Sequence, residues 1–275
     1  VGIEGIYVWD AKSGTLRYRL DGSDGARPLA FAPGENEHLL AVQNDELVRW
    51  DRNDVRFDFS STKKRPGIRS ASYCSDGSMV ALQRGPIGGE SVEIITSYDE
   101  KTLATIPNTG LAVWCQQDIL AVAIGDEVQL WDANTGTMLR AFPHQSAKIV
   151  ALAFSQETHT LVSNTSKGDL YTIDTRQELL EYEKNGATPY ANIGVVCWGS
   201  LRVWSHAPLM IGAHTNDKVM VWRFYGGKLE EVPVSNVVET EHQYFKYLSP
   251  KCGFVTKYRY QENLGHTFCL ERVSF

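Results

Sequence analysis

A short hairpin pattern recurs along this chain, and no other feature constrains its fold as strongly. Its clearest copy is EVQLWDANTGTMLRAF, Glu127 to Phe142. Val128, Leu130 and the ring of Trp131 make a short apolar strand, Asp132 to Gly136 is a turn of Asp, Asn and Gly, and Thr137 to Phe142 begins a return strand. The same succession runs from Ile6 to Leu20, Leu47 to Phe59, Val92 to Ile106, Leu170 to Tyr182 and Val219 to Val234.

The residues at the Asp place are 10, 51, 99, 132, 174 and 223, which leaves gaps of 41, 48, 33, 42 and 49 residues. A repeat of about 40–45 residues holding four short strands marks a propeller blade. The expectation is therefore all-β: a β-propeller of four-stranded blades forming one domain over residues 1–275. Reading strand by strand gives two strands, then five blades of four, then three strands, 25 in all. Seven blades with incomplete ends are favoured over six. The mid-blade start at Gly5 to Asp10 reads as a piece of a longer polypeptide.

The pairs Trp9-Asp10, Trp50-Asp51 and Trp131-Asp132, with Trp222 followed by Arg223, resemble the WD-repeat β-propeller family over nearly the whole chain. The match is divergent. Asp21-Gly22 and Pro143-His144 stand near where the family carries Gly-His, and Asn44, Gly125 and Asn216 stand where it carries the turn Asp. The family's side-chain tetrad is thus expected to be incomplete, with apolar packing between blades carrying more of the stability. Trp9, Trp50, Trp131 and Trp222 are expected to pack between neighbouring blades.

Composition excludes several function classes. The net charge of -6 argues against a nucleic-acid surface spread over the whole chain. No apolar run approaches the roughly 18 residues of a membrane span. The five cysteines are odd in number and widely spaced, which suits buried free thiols in a reducing compartment, cytoplasmic or nuclear, better than a disulfide framework.

Reactive constellations are not evident. The seven histidines form no His-Glu-x-x-His, the cysteines no Cys-x-x-Cys, and Gly-x-Ser-x-Gly does not occur. His206 and His214 with Asp217 could supply metal ligands, but a polar surface is the simpler reading, so no metal and no cofactor are expected. The acidic pairs Asp99-Glu100, Asp126-Glu127 and Glu230-Glu231 fall at turns or outer strands. The glycine-rich stretch Gln83 to Ser91 lacks the Lys-Ser or Lys-Thr of a phosphate loop. The basic run Lys63-Lys64-Arg65 reads as a solvated link in preference to a nuclear signal or phosphate patch.

The resemblance implies a non-catalytic module that binds a protein or peptide on the face formed by loops between outer and inner strands and between second and third strands. On that face it places Arg27, Arg69, Arg84, Lys148, Lys167 and His214, mostly basic residues suited to an acidic segment of a partner. Trp204, in an irregular hairpin segment, is a further candidate contact. The hairpins at Trp131 to Gly136 and Trp9 to Gly14 also look like those of sensor propellers in large multidomain proteins. The alternative is an enzyme or cofactor-binding propeller that uses the axial channel, which elemental analysis and an absorption spectrum of the purified protein would reveal.

Overall fold

The structure, a computed structural model, describes residues 5–9, 13, 15–20, 22–33, 38–51, 57–85, 90–109, 111–143, 147–175, 191–192, 202–205, 209–214, 219–225, 228–232, 243–249, 254–261 and 265–272. No helix occurs among them. The chain divides into two compact units, one of Val1–Ile124 with Gln129–Ala141 and one of Gly125–Val128 with Phe142–Phe275.

The strands run in chain order through antiparallel sheets, each strand beside the next. A two-stranded sheet of β1 (Tyr7–Trp9) and β2 (Leu16–Arg19) comes first. Three four-stranded sheets follow. The first is β3 (Arg27–Phe31), β4 (His38–Gln43), β5 (Glu46–Asp51) and β6 (Phe57–Lys64). The second is β7 (Ile68–Tyr73), β8 (Met79–Arg84), β9 (Ser91–Thr96) and β10 (Thr102–Pro107). The third is β11 (Leu111–Trp114), β12 (Ile119–Ile124), β13 (Glu127–Asp132) and β14 (Thr137–Pro143).

Two more four-stranded sheets come next: β15 (Ile149–Ser155), β16 (Thr160–Thr165), β17 (Asp169–Asp174) and β18 (Ala191–Asn192), then β19 (Arg202–Ser205), β20 (Leu209–His214), β21 (Val219–Tyr225) and β22 (Lys228–Val232). The last sheet has three strands, β23 (Gln243–Ser249), β24 (Phe254–Gln261) and β25 (Gly265–Arg272). This grouping among the described residues is the one the repeat implies.

Within each unit the core lies in the seams between neighbouring sheets. In β8, Met79 and Ala81 pack with Trp114, Leu120 and Val122 of the following sheet, while Val80 and Leu82 pack with Leu40 and Leu47 of the preceding one. Strands buried on both faces need apolar side chains at consecutive positions, which is why β4, β8 and β12 read as near-continuous apolar runs. Within the first unit the inner strands β3, β7 and β11 lie side by side.

The tryptophans fill these seams as expected. Trp50, fully buried, packs with Ile6 and Leu20, which adjoin β1 and β2. Trp131 packs against the cluster of Met79 and Ile94, and in the second unit Trp222 meets Ala151, Val162 and Leu170. The side chain of Trp9 lies outside the described residues. The Asp after the Trp is a turn cap: Asp132 Oδ1 accepts from the amides of Asn134 at 2.8 Å and Thr135 at 3.1 Å, and these bonds hold its carboxyl below the usual carboxylate range.

Three expectations are corrected. The link from Ser60 to Gly67 is not a loop throughout, because β6 continues to Lys64, and Arg65 is buried. Its guanidinium has carboxylate partners in the next sheet, which compensate its removal from water. The fifth four-stranded sheet has Arg202–Ser205 as its inner strand, where Ile193 to Trp198 was expected. A short connection to β20, with Ser205 opposite Leu209, favours that pairing. Trp204 therefore sits in a strand paired with Met210, not in an irregular segment. Residues 193–198, and Leu179 to Tyr182, expected as the outer strand of the sheet before, lie outside the described residues; β18 takes the outer place there.

Candidate functional site

Arg27, Arg69 and Arg84 come together around one linker, residues 65–69. Arg27 opens β3 and reaches across to the start of β7, where its Nη1 donates to the carbonyl of Arg69 at 2.7 Å and its Nη2 to that of Ile68. Arg84 ends β8 opposite Ile68 in the ladder. Its Nη1 pairs with Glu93 Oε2 at 2.7 Å and its Nη2 donates to the Pro66 carbonyl at 3.3 Å. Arg69 extends its guanidinium to Glu90 Oε1 at 3.2 Å.

The same end of these sheets carries a repeated backbone contact. In two sheets of the first unit an amide just past the outer strand donates to the turn between second and third strands: Arg65 to the Asp45 carbonyl at 2.7 Å, and Thr109 to the Glu90 carbonyl at 3.2 Å. In the second unit the donor is instead the first residue of an inner strand: Ile149, which opens β15, donates to the Gly125 carbonyl at 2.9 Å. Asn44 and Asp45 reach the left-handed conformations such a tight turn demands, with φ of 53° and 64°.

Lys148 and Lys167 belong to the second unit. The Ser166 amide donates to the Lys148 carbonyl at 2.8 Å, which sets both exposed lysines at one end of the β15–β18 sheet. His214 ends β20 opposite Val219, so it lies in a strand; the side chains of His214 and Trp204 are outside the described residues. His206 and Asp217 are also outside them. Among the described residues no group of three or more His, Cys, Asp or Glu side chains could hold a metal ion. Cys74 and Cys115 are free and buried, and burial pushes the Cys115 thiol up to about 12.

Sequence reasoning did not foresee the buried ionic cluster beneath the linker. Arg65 Nη1 meets Glu100 Oε2 at 2.5 Å and its Nε lies 3.6 Å from Glu93 Oε1, with the Arg65 and Glu100 side chains 4% and 5% exposed. Thr102 Oγ1 donates to Glu93 Oε1 at 2.7 Å. Arg65 Nη2 and Lys63 Nζ also donate to the Glu100 carbonyl. Nearby, burial pushes the Tyr73 hydroxyl up to about 12, an effect opposed by the charge of Arg49 and reinforced by that of Glu100. The available signal was Glu93, a charged residue inside the apolar run Val92 to Ile95.

No family model matches the chain. The human U3 small nucleolar RNA-associated protein 4 homolog is 19% identical over 191 residues, covering 62% of this chain and 27% of that protein. The chain thus spans about a quarter of the length of that curated relative. Among solved structures, a chain of the mitotic checkpoint complex superposes with a TM-score of 0.61 at 16% identity, over 80% of this chain and 70% of its own. The computationally designed Ika8 protein superposes with a TM-score of 0.58, also at 16% identity, over 98% of this chain and 78% of its own. With the repeated Trp-Asp hairpins and the succession of four-stranded antiparallel sheets, the fold is that of a divergent WD-repeat β-propeller.

Proposed function

We propose that the chain is a non-catalytic recognition module that docks a protein or peptide segment on the linker-and-turn end of its first unit's sheets, as part of a larger multidomain protein. One observation carries the reading: Arg27, Arg69 and Arg84, separated by up to 57 positions in sequence, gather around a single linker whose Pro66, Gly67 and Arg69 are exposed. Cations held at fixed positions suit an acidic segment of the partner. The exposed Lys148 and Lys167 are proposed as contacts in the second unit. Buried thiols at Cys74 and Cys115 support a reducing compartment, cytoplasmic or nuclear.

Arg69 is a better probe than Arg84, whose guanidinium is tied into the seam through Glu93. The test is titration calorimetry of the purified chain against a partner recovered from native extract, with Arg69→Glu and Lys148→Glu combined. Affinity is expected to fall at least tenfold with the circular dichroism spectrum unchanged. Unaltered affinity for every recovered partner would remove the reading.

A further inference from the structure

The linker from Arg65 to Arg69 is secured more firmly than a connection between two sheets requires. The Arg65 amide donates to Asp45, the Pro66 carbonyl accepts from Arg84, the Gly67 carbonyl accepts from the Gly85 amide at 2.9 Å, and the Ile68 and Arg69 carbonyls accept from Arg27. Below, the Arg65 side chain is locked between Glu93 and Glu100. Pro66, Gly67 and Arg69 are nonetheless exposed. A surface segment ordinarily leaves such groups to water. Here protein donors replace the water, so a partner meeting this segment has little loop ordering to impose.

On this rigid platform one ion pair differs from the rest. Arg65 and Arg84 hold a carboxylate, Glu93, that is 9% exposed, whereas the Arg69 and Glu90 side chains are 51% and 24% exposed and meet through a single contact at 3.2 Å. A half-exposed, single-contact pair is weak, and it leaves unused the two-bond fork by which arginine grips a carboxylate. Arg27, Arg65 and Arg84 are engaged with carbonyls or buried carboxylates, so the exchangeable cation of this cluster is Arg69.

We infer that Arg69 determines specificity for a carboxylate of the partner, and that Glu90 is a built-in competitor that occupies the guanidinium until the partner displaces it. The inference rests on the recognition reading and names its contact. A carboxylate is the fitting occupant, because the guanidinium of Arg69 already holds one, that of Glu90, at its exposed face.

The test is fluorescence anisotropy with a labelled oligoglutamate peptide as probe, against oligolysine and a phosphoserine peptide of equal length. Glu90→Gln is expected to tighten oligoglutamate binding about two- to fivefold by releasing Arg69. Arg69→Gln should weaken it about tenfold or more, and Glu90→Gln added to Arg69→Gln should restore nothing. Because both side chains sit at the surface, equal melting temperatures will verify that the variants fold. Oligoglutamate binding that ignores both substitutions overturns the inference but leaves the recognition reading standing. Absence of oligoglutamate binding, or tighter binding of the phosphoserine peptide, also overturns it. The recognition reading itself fails separately, if recovered partners bind undiminished to the Arg69→Glu, Lys148→Glu variant.

Discussion

Glu93 occupies a place in β9 where alternation calls for an apolar side chain, since Ile95 on the same face packs into the seam with Leu40 and Leu47. A carboxylate is tolerated there because Arg65 and Arg84 reach it from two sides and Thr102 donates to it. Removing one member of a buried ionic set leaves the others uncompensated, so Arg65→Met is expected to destabilise the chain by about 3–5 kcal/mol in urea unfolding. Surface Arg69→Gln should stay within about 0.5 kcal/mol. Tyr73 gives a pH prediction. Its hydroxyl, raised by burial to about 12 from 10.0, stays protonated in the folded chain after it has ionised in the unfolded one. The folded state then binds more protons, so stability is level below pH 10 and falls between pH 10 and about 12, by roughly 2–3 kcal/mol from this group. Tyr73→Phe should flatten that part of the alkaline decline; an unchanged slope would mean that the hydroxyl is not shielded.

At the scale of strands and turns, the hairpin between β13 and β14 shows how adjacent sheets fix one another's spacing. Gly136 has φ of +66°, and a Cβ there would lie 2.8 Å from the Cβ of Ala104 in β10. Gly25 has a similar φ of +73° with nothing within 4 Å of such a Cβ. Chemical denaturation should therefore show about 1 kcal/mol of destabilisation for Gly25→Ala and roughly 2–3 kcal/mol for Gly136→Ala, the excess reporting sheet-to-sheet contact. The strands themselves were legible in the sequence because burial on both faces writes an unmistakable run such as Ile119 to Ile124. What sequence could not show was how long β6 runs or where Arg65 points. Its partners Glu93 and Glu100 lie 28 and 35 positions away, and no local periodicity records an ion pair across a seam. The inner strand at Arg202–Ser205 was missed for a related reason: Val195 to Trp198 offers a competing apolar run, and only pairing with β20 decides between them.

At the scale of the whole chain, each unit is held together by the seams between its neighbouring sheets. Apolar packing around Trp50, Trp131 and Trp222 persists, and in the seam between β3–β6 and β7–β10 charged residues join it. Native-state hydrogen exchange should then show the slowest amides in β8, β12 and β16, whose side chains are almost wholly buried, and faster exchange in the outer strands. Uniform exchange across inner and outer strands would contradict that ordering. The basic residues of the proposed docking end were nameable from the family resemblance, but which of them are tied to carbonyls or buried carboxylates is visible only in the distances. The most direct test of that end as the docking surface is zero-length carbodiimide cross-linking of the chain to a recovered protein partner, read by mass spectrometry. Cross-links are expected between acidic residues of the partner and Lys64, beside the linker of residues 65–69. Cross-links confined to Lys101, in the turn between β9 and β10, would place docking elsewhere and contradict the account.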